Sequence, residues 1–489
     1  MEHLALAFGL ALPWLLGIAL LLALDWPRSS AGDGDRSAGS AALRLGYGYF
    51  IGALALTLWM HGLSATGVGF GRISIGAPLL VAVVALFAWA TRRHRISVAA
   101  ARNATSALVR PPLTRWQQWA WMLLLAWLSL RFASIAAEIM WRPLYPWDAW
   151  VQWATKARVW YELGRIVPFV RADVWLSAAT AVYFDASPDN PSTVPLLQVW
   201  SCVALGRWDD SAMNWPWLCM LLALTLAVYG SLRSAGLSWL GALIGAYLVA
   251  SLPLLDTHAA LAGYADLMLA GVYTCAALAL HRWVLRRDAR DAALAVLLAL
   301  ACALVETSGL VWALTLVPGG VVAIFPRRGP KLVAFGFGAA ALVVLAFARF
   351  EPALLGHSLH LGHSLHLDYQ PRWHSLADAY LFFGNWHLLW YAVIALAIIG
   401  ARRLVRPPLA PLAMVVASGL GVLFIAFAFP SAKSVAEFGT ANRATLPLAP
   451  LLTCLCVLLW RELTMPELAP KPQAAQQPAG SDSAVAADA

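Results

Sequence analysis

The chain has 489 residues, of which 61% are apolar, and its formal net charge is +9. Only 12% of the residues are charged, against roughly 25% in an average soluble domain, so the composition excludes an ordinary soluble protein. The positive charge does not indicate a nucleic-acid partner, because the arginines lie in short loops between apolar runs, as the positive-inside rule expects. The sequence therefore predicts an all-α polytopic membrane protein.

Apolar runs that approach or exceed the roughly 20 residues needed to cross a bilayer recur along the chain. The first run lacks the basic flank of a signal peptide and is interpreted as a span. Only the letters ETSG separate the eighth run from the ninth. The runs predict about thirteen transmembrane helices, near residues 3–24, 43–61, 75–91, 117–138, 214–232, 236–254, 264–282, 291–305, 308–325, 331–349, 385–401, 409–428 and 444–460.

Basic residues collect in alternate short loops, which should therefore be cytoplasmic. They are Arg92, Arg93, Arg95, Arg102, Arg110, Arg115, Arg282, Arg286, Arg287, Arg290, Arg327, Arg328, Lys331, Arg402, Arg403 and Arg406. This orientation puts the N-terminus outside. It also puts the long loop 139–213 on the outer face, where we expect amphipathic helices at the membrane interface.

The first candidate residue is Asp148, which stands between Trp147 and Trp150 in the stretch LYPWDAWVQWATKARVWYELG. Tryptophan this dense is typical of a membrane interface. If a helix begins here, Asp148, Gln152 and Lys156 share one face, and the apolar face rests on the membrane. The pattern predicts an amphipathic helix that holds a carboxylate at the membrane surface.

Two interpretations of Asp148 stay open. Its carboxylate either caps the helix, or acts as a general base for an acceptor hydroxyl that attacks a sugar carbon. Tryptophan-rich surroundings favour the neutral acid, so a base needs a cation close by to stay ionised. Lys156 and Arg158 are the candidate cations.

Three further acidic residues are candidates for substrate binding. Asp189 lies in the proline-flanked turn PDNPSTVP, which precedes a re-entering apolar segment. Asp266 of GYADLMLA is expected about one turn into a span, where the alternative is a structural buried carboxylate. Glu306 of ETSG lies between two short spans, where a charge needs a partner or water.

Arg443, in TANRATLPLAPLL, is predicted at the outer start of the last span. A guanidinium there would add its donors to the free N–H groups of a helix N-terminus, and this combination suits a phosphate. The alternative is an arginine that reaches to the membrane interface.

No metal site is assigned. The histidines of GHSLHLGHSLHL recur every three residues and would spiral around a helix, so a tandem duplication in a surface loop is favoured over a metal site. They are His357, His360, His363 and His366. A divalent metal is compatible with the sequence but not indicated by it. The six cysteines form no CxxC pair, and neither a disulfide framework nor a zinc site is indicated.

These motifs, in this order and on one face, resemble the GT-C superfamily of membrane glycosyltransferases. That superfamily uses lipid-linked sugars and includes bacterial relatives of protein O-mannosyltransferases and aminoarabinose transferases. The matching motifs are WDA…W…KA, the proline-flanked acidic turn, GYADL and R-x-x-L-P-x-x-P. The resemblance implies a catalytic aspartate at Asp148 and binding of a polyprenyl phosphate by Arg443. Bacterial members often carry a K-x-E-G-like turn where this chain has ETSG.

The resemblance covers roughly residues 117–460 and divides the chain into three parts. Residues 1–116 form a three-span extension with a basic cytoplasmic loop. Residues 117–465 are expected to form the GT-C-like core. Residues 466–489 are rich in Ala, Pro and Gln without apolar periodicity, which predicts a disordered cytoplasmic tail.

The leading hypothesis is inverting transfer of a sugar from a polyprenyl-phosphate donor to a glycan, lipid or protein acceptor. The reaction would take place on the periplasmic face of the bacterial inner membrane, among membrane lipids. Asp148 would be the base, and the expected substrate-binding residues are Trp147, Trp150, Lys156, Asp189, Asp266, Glu306 and Arg443. The alternatives are a lipid or solute transporter or flippase, for which the chain lacks internal repeats, and a catalytically degenerate GT-C-like protein, which the ETSG turn favours.

Overall fold

The structure is a computed structural model. It describes residues 2–27, 39–94, 114–178, 180–350, 353–354, 357–358, 373–428 and 438–465. The histidine repeat lies outside the described residues, apart from the backbone at 357–358. The tail 466–489, predicted to be disordered, also lies outside them.

The described residues are almost entirely helical. The α-helices are α1 (Glu2–Ala23), α2 (Ser40–Ala65), α3 (Ala77–His94), α4 (Arg115–Trp141), α5 (Thr155–Leu163), α6 (Ala172–Ser177), α7 (Thr193–Leu205), α8 (Trp215–Ser234), α9 (Trp239–Ala250), α10 (Pro253–Ala260), α11 (Asp266–Arg286), α12 (Ala289–Val305), α13 (Gly309–Ile324), α14 (Gly329–Phe350), α15 (Trp373–Ala377), α16 (Leu389–Ile399), α17 (Ala401–Leu404), α18 (Ala410–Ala428), α19 (Phe438–Thr445) and α20 (Ala449–Thr464).

Short irregular elements complete the chain. Turns of π-helix lie at Arg72–Gly76, Ala149–Ala154 and Asp378–Phe382, and a 3-10 turn lies at Ala212–Asn214. The two-residue strands β1 (Phe169–Val170) and β2 (Tyr183–Phe184) pair in parallel, and β3 (Ala353–Leu354) and β4 (His357–Ser358) pair antiparallel. The fold of the described residues is therefore a helical bundle, as the sequence predicts.

Seven helical segments among the described residues are long and apolar enough to cross a membrane. They are Glu2–Ala23, Ser40–Ala65, Arg72–Arg93, Arg115–Trp141, Ala212–Ser234, Asp266–Arg286 and Ala410–Ala428. Helices α9 and α10 meet at a bend of 62° and raise the number to eight if they form one span. These apolar helices are those of a multi-pass membrane protein. Each of the thirteen predicted spans contains a helix, but the count of thirteen crossings is not confirmed.

Helix α11 lies at the centre of the bundle. Neighbouring helices bury 89% of its most apolar 18-residue window, against 17% for α4. It begins with Asp266 and carries Arg282 about 24 Å further along its axis. At that far end Arg282 pairs with Asp291 at 3.1 Å, and Asp291 also accepts a hydrogen bond from Trp26 Nε1 at 2.7 Å. The charged side chains of α11 thus lie near its two ends.

The first three helices share the hydrophobic core of the rest of the bundle. Tyr47 of α2 donates a hydrogen bond across the core to the carbonyl oxygen of Cys275 in α11 at 2.9 Å. The division at residue 116 therefore separates segments of the sequence without separating two cores.

Glycines allow α1 and α2 to pack backbone against backbone. A Cβ at Gly52 would overlap the carbonyl oxygen of Pro13, and one at Gly17 would overlap the carbonyl oxygen of Gly48. These obstacles are backbone atoms, which cannot move aside as the end of a flexible side chain could. The close approach of α1 and α2 thus requires glycine at positions 17 and 52.

We predict that Gly52→Ala destabilises the protein by about 1–3 kcal/mol, the usual cost of overpacking, although alanine is the better helix former. Gly62→Ala is the matched control, because nothing lies within 4 Å of a Cβ at that position of the same helix. Thermal unfolding in detergent should show a lower midpoint for Gly52→Ala alone. Equal midpoints for the two variants would contradict the close packing of α1 and α2.

Candidate functional site

An arginine shared by two carboxylates lies at the end of the bundle where α11 begins. Arg443 Nη1 donates to Asp148 Oδ2 at 2.5 Å, and Arg443 Nη2 donates to Asp266 Oδ2 at 3.2 Å. The Arg443, Asp148 and Asp266 side chains are 35%, 29% and 7% exposed. We call these three residues the charged triad. The sequence predicted all three as site residues, and the structure brings them into direct contact.

Asp148 immediately precedes the π-helical turn Ala149–Ala154. Its side chain makes no capping hydrogen bond to that turn. Instead, its carboxylate oxygen Oδ2 accepts the hydrogen bond from Arg443. Helix capping therefore does not account for this carboxylate in the structure.

A tight turn brings Asp266 beside Asp148. Gly263 has φ +118°, a conformation that favours glycine, and a Cβ there would press on Ala149. Trp217 Nε1 donates to the carbonyl oxygen of Tyr264 at 2.8 Å and holds the turn. Asp266 is the first residue of α11. The sequence predicted it about one helical turn into the span, but the tight turn at Gly263 ends immediately before it.

The predicted position of Arg443 in its helix is wrong. Arg443 lies in the last turn of the short helix α19, which ends before the final helix α20 begins at Ala449. Its guanidinium is therefore not joined by the free N–H groups at the start of α20. Hydrogen bonds anchor its neighbours, from Trp386 Nε1 to Asn442 Oδ1 at 3.0 Å and between the Tyr380 and Thr445 hydroxyls at 2.6 Å.

Sequence reasoning missed two aromatic neighbours of the triad. The Tyr264 ring lies 4.4 Å from the Arg443 guanidinium carbon, a cation–π contact. The ring of His258, in α10, lies 5.5 Å from that of Tyr264 and is buried. The only available signal was their place in the stretch DTHAALAGYAD, whose last residue is Asp266.

Glu306 lies between α12 and α13, within electrostatic range of the triad. Burial, and then the negative charge of Asp266, raise the pKa of the Glu306 carboxyl to about 7. Arg443 and a hydrogen bond with Ser308 act in the opposite direction. Glu306 therefore changes charge near neutral pH, within electrostatic range of Asp266 and Arg443.

The charge of Arg443 is well secured. Burial by itself lowers the pKa of Arg443, but Asp266 and Asp148 outweigh it and raise this pKa above its usual value. Its Nε atom is buried and has no hydrogen-bond partner among the described residues. The site thus offers a permanent cation with one donor still unused.

Neither Lys156 nor Arg158 is the cation beside Asp148. Lys156 and Asp185 are both buried with 3.7 Å between them, and burial lowers the pKa of Lys156 and raises the pKa of Asp185. Arg158 pairs with Glu162 one turn away at 2.7 Å. The prediction failed because the true partner, Arg443, lies 295 residues away in the sequence.

The remaining predicted residues lie outside the triad. Asp189 lies in the expected turn but pairs with Arg171 at 2.6 Å, and both side chains are largely exposed. Trp147 and Trp150 are exposed and in edge-to-face contact, with 4.9 Å between ring centroids. Within the described part of the chain, no three His, Cys, Asp or Glu side chains are grouped so as to hold a metal ion.

We predict that the pH dependence of stability reports on Glu306. Because its pKa is about 7 in the folded protein against a usual 4.5, the folded state holds a proton that the unfolded chain releases. The contribution of Glu306 to stability is therefore fully present below pH 4.5 and is lost as the pH rises toward 7, a change of up to roughly 3 kcal/mol.

Melting temperatures between pH 5 and pH 8 should fall less steeply for Glu306→Gln than for the unmodified protein. Glu162→Gln is the matched control, since Glu162 is in an exposed ion pair, and it should keep the full slope. An unchanged slope in Glu306→Gln would contradict the raised pKa.

Comparison with known proteins adds no relative to this description. No known family matches the chain, and no curated protein or solved structure is significantly similar to it.

Proposed function

We propose that the protein is a membrane glycosyltransferase that moves a sugar from a polyprenyl-phosphate donor to an acceptor on the outer face of a bacterial inner membrane. The observation that carries the proposal is the guanidinium of Arg443, held between Asp148 and Asp266 at one end of an apolar bundle. A reaction that needs an anion site and a proton acceptor side by side could use this arrangement.

Asp148 is the proposed general base. Its Oδ2 atom accepts from Arg443, while Oδ1 has no partner among the described residues and is free to accept a proton. The acceptor hydroxyl attacks the anomeric carbon, its proton passes to Asp148, and the bond from that carbon to the phosphate oxygen breaks. The phosphate leaves with the bonding electrons, and the configuration at the sugar carbon inverts.

Arg443 is the proposed ligand of the phosphate. A guanidinium binds phosphate through two parallel N–H groups, and here the unpaired Nε lies next to an Nη atom that is held by a carboxylate. Binding of a phosphate would displace one carboxylate from the Arg443 guanidinium. The displaced group would be Asp266, whose hydrogen bond is longer than that of Asp148.

The exposed tryptophans suit a lipid-linked substrate. Trp147 and Trp150 lie on either side of Asp148 in the sequence and are exposed, and indole rings prefer the boundary between lipid and water. They would fix the depth of the site at the membrane surface, where the phosphate of a polyprenyl carrier lies.

We predict that Asp148→Asn keeps the fold and loses turnover by about 10²–10⁴-fold, the usual contribution of a general base. The amide retains an oxygen to accept from Arg443 but cannot take a proton. Turnover is measured as release of polyprenyl phosphate from its glycosylated form in membrane vesicles. Asp173→Asn, an exposed change on the same loop, is the control, and near-normal turnover in Asp148→Asn would exclude the base.

Arg443→Lys should weaken binding of polyprenyl phosphate about tenfold or more, because an ammonium cannot form the two parallel bonds of a guanidinium. Titration of the purified protein with polyprenyl phosphate measures this effect. Arg171→Lys changes an exposed arginine that also pairs with an aspartate, and it should leave the affinity unchanged. Equal affinities for the two variants would reduce Arg443 to a structural ion pair.

A lipid transporter or flippase is the second candidate, and the 62° bend between α9 and α10 favours it. Broken helices often line transport sites. Purified protein in liposomes should then move a fluorescent polyprenyl phosphate between leaflets without consuming a sugar donor, and Asp148→Asn should leave that movement largely intact.

A further inference from the structure

The segment 185–193 connects two parts of the site. On one side it contacts the helical stretch that follows Asp148. Lys156 Nζ donates to the carbonyl oxygen of Ser187 at 2.7 Å and to that of Asn190 at 3.3 Å. The Asn190 side chain donates from Nδ2 to Gln152 Oε1 at 3.3 Å. Gln152 and Lys156 follow Asp148 in the same continuous helical stretch.

On its other side the segment contacts the turn that carries Glu306. Asn190 Oδ1 accepts a hydrogen bond from the Thr307 hydroxyl at 2.8 Å. Thr193 donates from its hydroxyl to the carbonyl oxygen of Leu304 at 2.6 Å. Residues on both sides of Glu306 are thus tied to the segment.

We propose that Asn190 is a positioning residue that sets the place of Glu306 relative to Asp148 and the rest of the charged triad. The proposal rests on the proposed function, in that the reaction needs Asp148 and its neighbouring charges in fixed register. Asn190 itself touches none of the reacting groups. It acts through Gln152 on one side and Thr307 on the other.

The chemistry of asparagine suits this place. One amide group supplies a donor to Gln152 and an acceptor to Thr307, and the backbone carbonyl accepts from Lys156. An aspartate would have no donor for the Gln152 oxygen. The buried Lys156–Asp185 pair holds the segment firmly, because breaking it would leave a charge buried without a partner.

The consequence for Glu306 follows from its surroundings. Asp266 at the start of α11, Arg443 in α19 and Ser308 in its own turn are the groups that set its proton affinity. If the turn shifts away from them and into water, Glu306 behaves as an ordinary glutamate. Its titration therefore measures whether the turn is in place, independently of any transfer reaction.

The test compares melting temperature against pH, from 5 to 8, for Asn190→Ala, Thr307→Val and Thr307→Ser in detergent. The first two variants should flatten the dependence of melting temperature on pH that Glu306 produces. Thr307→Ser keeps the hydroxyl and should keep this dependence. In a Glu306→Gln background, Asn190→Ala should change the slope no further. Thr464→Val is the control, since its hydroxyl bonds within α20 to the carbonyl oxygen of Trp460.

The second measurement is turnover of the polyprenyl-phosphate donor. Asn190→Ala and Thr307→Val should lower kcat about tenfold, a modest loss for misplaced groups. A uniform loss of stability at every pH, with the slope intact, would overturn the proposal. So would a flattened slope with unchanged kcat.

The two proposals fail in different ways. If the unmodified protein turns over no polyprenyl-phosphate sugar, the proposed function fails. The dependence of melting temperature on pH still decides whether Asn190 holds the Glu306 turn. If turnover is normal but Asn190→Ala keeps the full slope, the function stands and the positioning role is refuted. Thr307→Val removes a single hydroxyl and supplies the answer should Asn190→Ala not fold.

Discussion

The arrangement of the site depends on one shared cation. Arg443 contacts Asp148 and Asp266 together, and these residues come from α19, from the loop after α4 and from the start of α11. Removing the arginine would leave two carboxylates side by side, one of them buried, with no compensating charge. Loss of the partner of the buried Asp266 is destabilising because its charge is left uncompensated. The triad therefore fixes the relative positions of three segments that are far apart in sequence.

In the proposed reaction, the same shared cation is the group that receives the phosphate. Binding of a phosphate to the guanidinium would release one carboxylate, which stays in the site and adds to its negative charge. Displaced Asp266 would then lie near Glu306, whose pKa of about 7 lets it carry a proton at neutral pH. Protonation of Glu306 would limit the repulsion that the incoming phosphate creates.

Much of the fold was predictable because apolar runs and basic loops report directly on local structure. Every predicted span contains a helix. The sequence predicted Asp148, Asp266 and Arg443 on one face of the membrane, and in the structure they are in contact. The number of membrane crossings was harder to predict from the sequence, because short helices such as α13 and α16 are apolar without being long enough to cross by themselves. Length and hydropathy cannot separate a short span from a helix that only enters the membrane.

The pairing within the site was not predictable, for a different reason. Local sequence placed Lys156 close to Asp148, yet tertiary structure turned Lys156 toward Asp185 and brought in Arg443. The π-helical turn after Asp148 and the break between α19 and α20 also shifted side chains away from the positions that regular helices would give. Gly263 was the one local sign, since its left-handed turn lets Tyr264 and Asp266 approach Asp148.

The most direct test of the proposed function is the identity of the lipid that stays bound to the protein during purification. Native mass spectrometry of the purified protein, followed by fragmentation of the bound species, gives the mass of that lipid. The account predicts a polyprenyl phosphate or its glycosylated form, retained by the unmodified protein and depleted in Arg443→Lys. Ordinary phospholipids alone, in the same amounts for both proteins, would contradict it.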